Sequence, residues 1–320
     1  MKLLQEKSVC CGVKIIRFGG KRRQCTACRK TWRVHPASRG RKALRGSTHY
    51  LEKVFCARLS VKQLSIHSKL SEASIYKRFN KSLNASVGKK RIIHISGKKL
   101  ILIIDAQWKY FQGKLWTLYF LALKSTDSKK VKILDPVLSI GKESARNWNE
   151  IIEALPSSVK NRIVALVSDG IRGIETISDD HEWIIQRCHF HLLSPLQKRR
   201  GKRASTPGRL VRERIYCLVK QALKETSFSK LDSICKELAW LAKHPRCPKS
   251  MKMIVRDFLR RLSEFRSFLE YPDLQLPTTT NVMESINSMV VYITRSVNTP
   301  GSWHKWATAC IRAKSIFTCE

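Results

Sequence analysis

The chain has 320 residues, with 62 Lys+Arg against 24 Asp+Glu and a formal net charge of +38. With 43% hydrophobic and 27% charged residues it is too apolar to be disordered as a whole. It also lacks the ~18-residue uninterrupted apolar run of a membrane helix, and its first residues, MKLLQEKSVCC, lack a signal peptide's apolar core. So large an excess of positive charge self-repels without a polyanionic partner, which points to nucleic acid and a soluble intracellular protein. The eleven cysteines are odd in number and irregularly spaced, which argues for reduced thiols rather than a disulfide framework. Cys56, Cys217, Cys235, Cys310 and Cys319 read as small buried apolar residues.

Residues 1–38 read as a zinc-ribbon-like module. Cys25-Thr26-Ala27-Cys28 has the two-residue spacer that lets one tight turn aim two sulfurs at one metal. The other pair, Cys10 and Cys11, is less regular. A regular knuckle would place cysteines at 8 and 11, but Ser8 stands at the first position, and adjacent thiolates rarely converge on one ion without distortion. His35 can supply a ligand instead. The alternative to a Zn²⁺ site is a small hairpin with free thiols.

Residues 39–95 read as a basic linker followed by a helix-turn-helix. Arg41 and Lys42 can run along phosphates, or the linker is merely solvated. Residues 48–82 look helical in three pieces. Ser60 and Ser71 suit N-caps, and Val61, Leu64, Leu70, Ile75 and Phe79 can close a small core. The last helix would then offer Ser74, Lys77, Arg78 and Lys81 to a DNA groove.

Residues 96–204 carry the pattern of a sheet. An apolar run from Lys99 ends in Asp105, and a second, from Ile163, ends in Asp169; both read as strands buried on two faces. Strands over Gly113–Lys124 and Val131–Ile140 lie between them, with a helix near Ser144–Leu155 and a further strand over Trp183–Cys188. This order gives an α/β fold resembling RNase H, in which acids at strand ends are well placed for catalysis. Residues 205–274 show helical apolar spacing, and residues 275–320 return to the α/β domain with a helix capped near Asn281.

Four segments in this order resemble a family. They are Leu102-Ile103-Ile104-Asp105, Val167-Ser168-Asp169-Gly170-Ile171-Arg172-Gly173-Ile174, Gln186-Arg187-Cys188-His189-Phe190-His191, and Thr279-Thr280-Asn281-Val282-Met283-Glu284-Ser285-Ile286-Asn287. Together they resemble the DDE transposases of the Mutator-like group, which includes many bacterial insertion-sequence enzymes, over roughly residues 97–310. The resemblance implies an RNase-H-like catalytic domain (96–204 and 275–320) with an all-helical insertion (205–274). It implies Asp105, Asp169 and Glu284 as catalytic ligands of Mg²⁺ or Mn²⁺, and Cys188 and His191 as the Cys-x-x-His signature. That pair can bind a metal, pack structurally or contact DNA; a structural or DNA-positioning role is favoured and no metal is assigned. The rival acids Asp127, Asp135, Glu175, Glu264 and Glu270 lack a strand-end context or a matching motif.

The expected function is metal-dependent cleavage and strand transfer of double-stranded DNA at the ends of a mobile element. The expected protein is a homodimer or higher assembly on DNA, in a bacterial or archaeal cytosol, nucleoid-associated and away from membranes. Two alternatives are a catalytically inactive, transposase-derived DNA-binding protein and an RNase-H-like nuclease acting on structured DNA. For the zinc module the expected ligands are Cys11, Cys25 and Cys28, with Cys10 as the fourth.

Overall fold

The computed structural model describes residues 8, 10–18, 22–33, 47–55, 59–89, 91, 95–201, 203 and 205–317, and the chain divides into two units, 1–49 and 50–320. Arg41, Lys42, His35, Cys56 and Cys319 lie outside the described residues.

The first unit is a three-stranded antiparallel sheet of β1 (Ile15–Arg17), β2 (Arg22–Cys25) and β3 (Thr31–Arg33), in that order. A tight turn leads from β2 to β3. Cys25 N–H donates to Lys30 C=O at 2.9 Å, Arg29 N–H donates to Cys25 C=O at 3.0 Å, and Arg29 takes a positive φ of 54°.

The second unit is entered through α1 (Ser47–Phe55), followed by α2 (Val61–Ser68) and α3 (Glu72–Gly88). Ser60 and Gln63 form a reciprocal capping box at the start of α2, and Ser71 accepts from Ser74 N–H at the start of α3. Lys69, at φ 53°, turns the chain sharply between them. Leu64, Ile75 and Phe79 are buried, and Phe79 packs against Phe55 and Trp306. Truncating so enclosed an aromatic ring to Ala costs about 3–5 kcal/mol.

The large sheet follows, with β4 (Leu100–Phe111), β5 (Lys114–Ser125), β6 (Val131–Ile133) and β7 (Val137–Ile140). Then come α4 (Ala145–Glu153), α5 (Ser157–Lys160), β8 (Ile163–Ser168), α6 (Ile174–Asp180) and β9 (Ile184–Arg187). The strand order is β6-β5-β4-β8-β9, with β7 also on β5. β4 and β5 form a long antiparallel hairpin, whereas β4–β8 and β8–β9 are parallel. Alternation sorts the side chains to two faces. Ile101, Ile103, Leu118, Phe120 and Val167 join one core, and Leu100, Leu102, Ile104, Tyr119 and Trp148 join the other.

Two strand expectations change. Asp105 lies inside β4 rather than at its end, because antiparallel pairing with β5 continues to Phe111. The parallel ladder with β8 stops at Ile103↔Val167, however, so Asp105 sits just beyond the point where β4 loses that neighbour. The expected strand Val131–Ile140 is two strands, β6 and β7, with Asp135-Pro136 between them; proline offers no N–H to a ladder.

The rest is helical: α7 (His189–Arg199), α8 (Arg209–Ala222), α9 (Phe228–Lys243), α10 (Lys249–Arg260) and α11 (Leu262–Glu270), then α12 (Asn281–Ile293) and α13 (Pro300–Phe317). A short 3₁₀ turn at Pro272–Leu274 precedes α12. Helices α7 to α11 share a core of their own, whereas α12 and α13 pack on the sheet core with Ile101 and Phe120. Lys109 of β4 donates to the carbonyls of Thr294 and Val297 at 3.0 and 2.9 Å, placing a cation at the C-terminal end of α12. Cys217 is exposed and Cys235 half-buried rather than core, because both fall on outward stripes of α8 and α9; Cys310 is buried. Among the described residues, no helix is long and apolar enough to cross a membrane.

Candidate functional site

The sheet and α12 bring three distant acids into one electrostatic neighbourhood. Asp105 projects from β4 to the face that α12 covers, and Asn287 of α12 donates to its Oδ2 at 2.6 Å. Asp169 follows the last residue of β8. Glu284 lies in the first turn of α12, where Thr280 Oγ1 donates to its Oε1 at 3.3 Å. Burial pushes the Asp105 carboxyl up to about 6; His191 opposes the shift, and the charges of Asp169 and Glu284 add to it.

The Cys-x-x-His segment ties these elements together. Cys188 is buried; its N–H donates to Ser168 C=O at 2.8 Å, and its Sγ meets Thr280 Oγ1 at 3.3 Å. Thr280 N–H also donates to Cys188 Sγ, and His189 N–H to Thr278 C=O at 2.8 Å. Cys188 thereby fixes the entry to the helix that carries Glu284 against the end of the strand that precedes Asp169. His191 Nδ1 lies 3.5 Å from Asp169 Oδ2, and this contact raises its proton affinity.

Gly170 has φ 91°, and a Cβ there would collide with the Arg187 guanidinium. That guanidinium is buried. It meets Glu175 at 2.6 Å, Glu264 at 2.5 Å and Asp257 at 3.5 Å, and Arg261 joins Glu175 from α11's N-terminus. Glu175 and Glu264 are therefore held by arginines, and Asp135 is held by Arg312 and Arg91. Asp127 accepts from Thr126 in its own turn, and Glu270 is exposed at the end of α11.

A fourth carboxyl, Glu143, belongs to the neighbourhood and has no place in the sequence reading. It accepts from Trp148 Nε1 at 2.7 Å. Burial pushes it up to about 7, with Asp169 and Asp105 adding to the shift. It stands in the loop before α4, outside any strand end or motif; the one sequence cue is a tryptophan five residues on. Asn287 also escaped, although its i+3 spacing from Glu284 puts both on one helix face.

The oxygen-rich donor set suits a hard divalent cation. Burial first, and then the neighbouring carboxylates, hold the Asp105 and Glu143 carboxyls up, and Asn287 Oδ1 is buried without a partner. The acids are nonetheless open. Among the described residues only the four cysteines form a set whose ligand atoms all lie within 4.8 Å of one another.

That second cluster, in the first unit, is Cys10, Cys11, Cys25 and Cys28, and it is compatible with zinc. The expected distortion at the adjacent pair is resolved by Ser8. Its Oγ accepts from Cys11 N–H at 3.3 Å, Val13 N–H at 3.2 Å and Cys25 Sγ at 3.4 Å. Ser8 thus holds the turn where a regular knuckle has a cysteine, and Cys10 supplies the fourth sulfur, 3.3 Å from that of Cys28. The side-chain contact with Ser8 and the Cys28 N–H lower the Cys25 thiol to about 6, while Cys28 pushes Cys11 up to about 12. Unequal thiols of this kind share charge unevenly until a cation takes it up.

Of the expected groove residues, Lys77 and Lys81 are exposed on α3, and Ser74 is half-buried beside its cap. Arg78 is turned toward α1, donating to the Tyr50 hydroxyl at 3.1 Å.

A family model described as "Transposase, Mutator family" matches residues 126–302, more than half of the chain. The matched stretch contains Asp169, Cys188, His191 and Glu284, and begins after Asp105. No curated protein matches the chain. Among solved structures, the Drosophila P element transposase strand transfer complex is similar at 10% identity and a TM-score of 0.31, covering 88% of this chain and 80% of that one. A score that low carries no argument about this molecule.

Proposed function

The chain belongs to the Mutator family of transposases, and from that premise we propose that it cleaves and joins DNA strands through Asp105, Asp169 and Glu284 on an RNase-H-like domain. The observation that carries the reading is that these three acids, from β4, the end of β8 and α12, share one electrostatic neighbourhood, in a basic chain where the rival acids Asp135, Glu175 and Glu264 are taken up by arginines. Asp105, Asp169 and Glu284 would hold Mg²⁺ or Mn²⁺. Bound there, such ions supply charge to the attacking and leaving oxygens of an in-line phosphoryl displacement. Asn287 fixes the Asp105 carboxylate and Thr280 the Glu284 carboxylate. His191 sets a proton-bearing ring beside Asp169, where it can steady a phosphate oxygen.

In this reading α2 and α3 form a helix-turn-helix that presents Lys77 and Lys81 to duplex DNA, and the four cysteines hold one Zn²⁺ that shapes the first unit. Element ends and target are both double-stranded DNA. The protein would act as a homodimer or larger assembly in a prokaryotic cytosol. A DNA-binding protein without catalysis would not need three carboxylates gathered from β4, the end of β8 and α12, with one of them, Asp105, buried.

The test is a cleavage and joining assay with the full chain on DNA that flanks the coding gene. Activity is expected in Mg²⁺ or Mn²⁺ and none in chelator, with Ca²⁺ supporting binding alone. Asp105→Asn, Asp169→Asn and Glu284→Gln are each expected to drop cleavage below detection while DNA affinity stays near wild type. Wild-type cleavage by any one of them removes that residue from the site, and cleavage in chelator overturns the mechanism.

A further inference from the structure

Beyond Asp105, β4 leaves the cover of α4. The face of the sheet that carries Ala106 then runs out through Trp108 and Tyr110, opposite Thr117 and Leu115 of β5. Trp108 is 65% exposed and Tyr110 60% exposed, on the part of β4 that pairs with β5 alone. Their rings meet edge to face with centroids 6.1 Å apart. They form the floor of an open groove of about 380 Å³, completed by Leu115, Lys142, Glu143 and Ile171.

The groove adjoins the acid site through Glu143 and Ile171, whereas Asp169 lines a separate hollow with His191 and Arg187. Glu143 feels the charges of Asp105 and Asp169. Ile171 is two residues past Asp169, which follows the last residue of β8. Trp108 is three residues past Asp105, so its ring lies on the opposite face of the sheet from the Asp105 carboxyl, with the end of β8 between the groove and the acids. A DNA strand whose phosphate lies at the acids and which then passes over the end of β8 would bring a neighbouring base to the aromatic pair. Lys142 at the rim supplies positive charge for the adjoining phosphate, and the chain as a whole carries +38. The volume suits one flat ring system, and stacking on an aromatic face tolerates any base.

We propose that the Trp108–Tyr110 groove receives an unstacked nucleotide of the DNA strand held at Asp105 and Asp169, so that the protein engages DNA locally opened beside the bond it cuts. This rests on the transposase reading above. The base leaves its stack at a cost of a few kcal/mol, and stacking on Trp108 returns part of that. An unpaired or mismatched position next to the cut therefore binds better than a paired one.

The test uses the full chain in Ca²⁺ with two duplexes of the same sequence, one fully paired and one with a short central mismatch bubble containing 2-aminopurine. Wild type is expected to prefer the bubble by roughly ten-fold, about 1.4 kcal/mol, and to quench the 2-aminopurine. Trp108→Ala is expected to bring the preference close to one and leave the probe bright, whereas Trp108→Phe keeps most of both. Tyr110→Ala is expected to fall between. Each variant's melting temperature should match wild type, because neither ring is in a core.

A preference and quenching unchanged in Trp108→Ala would overturn the proposal, as would a wild type that binds both duplexes equally. In the latter case binding of paired DNA would persist and the transposase reading would stand. Binding of neither duplex at low salt would remove both. A shift from dimer to monomer caused by Trp108→Ala, with bubble preference intact, would assign this face to a second copy of the chain and overturn the nucleotide site.

Discussion

The molecule gathers metal-ligating side chains in two ways, and the contrast shows what each cluster depends on. The four thiols of the first unit come from two turns of one small sheet, lie within 4.8 Å of one another, and have little apolar core beneath them. Asp105, Asp169 and Glu284 come from a central strand, the end of its parallel neighbour and a helix far along the chain. They sit between extensive cores that need no ion to close. The thiols are soft and tightly convergent, whereas the acids are hard and open. A cation should therefore be part of the fold in the first case and part of the chemistry in the second.

The largest effect should come from stripping the cysteine cluster. Roughly one Zn²⁺ per chain is expected, and its binding free energy in so small a module is folding free energy, on the order of 10 kcal/mol. Cys25→Ser or a strong chelator should abolish the zinc and unfold residues 8–33, seen as loss of their amide protection in hydrogen exchange. Residues 95–317 should keep theirs. Zinc retained in full by Cys25→Ser would remove the assignment.

A smaller effect is expected where the acid site meets the helical block. Arg187 has a side chain only 4% exposed and serves Glu175, Glu264 and Asp257 together. Arg187→Met leaves those carboxylates to Arg261 alone, so the loss should be smaller than about 3–5 kcal/mol, the cost of a buried pair broken outright. Gly170→Ala should weaken the same place, since its Cβ would displace the guanidinium and its φ is strained for any side chain. Chemical denaturation should show both variants destabilised, with cleavage reduced because Asp169 adjoins Gly170. Wild-type stability in Arg187→Met would mean that the ion cluster does not clamp α11 to the sheet.

The smallest effect is a pH dependence of metal-free stability. The carboxyls of Asp105 and Glu143 are raised to about 6 and about 7, from 3.8 and 4.5. Across that interval the native state holds more protons than the unfolded chain, so this contribution to stability falls as pH rises from about 4 to 7 and stays lost above it. For Asp105 the size is roughly 2–3 kcal/mol. Asp105→Asn should therefore raise the melting temperature at pH 8 in chelator by several degrees and change it little at pH 4. Added Mg²⁺ should stabilise wild type more at pH 8 than at pH 6. A melting temperature of wild type that is flat with pH in chelator would contradict the shifts.

Much of this was legible because local signals and global packing agree. Ser60 and Ser71 cap the helices that their positions announce, and the apolar runs around Ile103 and Leu166 are strands buried on both faces. What escaped depended on partners distant in sequence. Nothing near Asp105 shows that β4 continues six residues past it, because that extension is set by pairing with β5. Glu143 gains its environment from Trp148 and two remote aspartates. Ser8 reads as a missing ligand, yet it is the acceptor that lets adjacent cysteines converge. Arg78, read as facing a groove, is drawn to Tyr50 of another helix.

The most direct test of the central claim is Mn²⁺ binding to the full chain, pre-loaded with zinc and bound to duplex DNA, followed by the loss of the free-ion electron paramagnetic resonance signal. The acids are expected to take up Mn²⁺ in wild type, to lose it in Asp105→Asn, Asp169→Asn and Glu284→Gln, and to keep it in Cys25→Ser. Wild-type uptake by Asp169→Asn, or loss of Mn²⁺ in Cys25→Ser alone, would place the ion elsewhere and contradict the account.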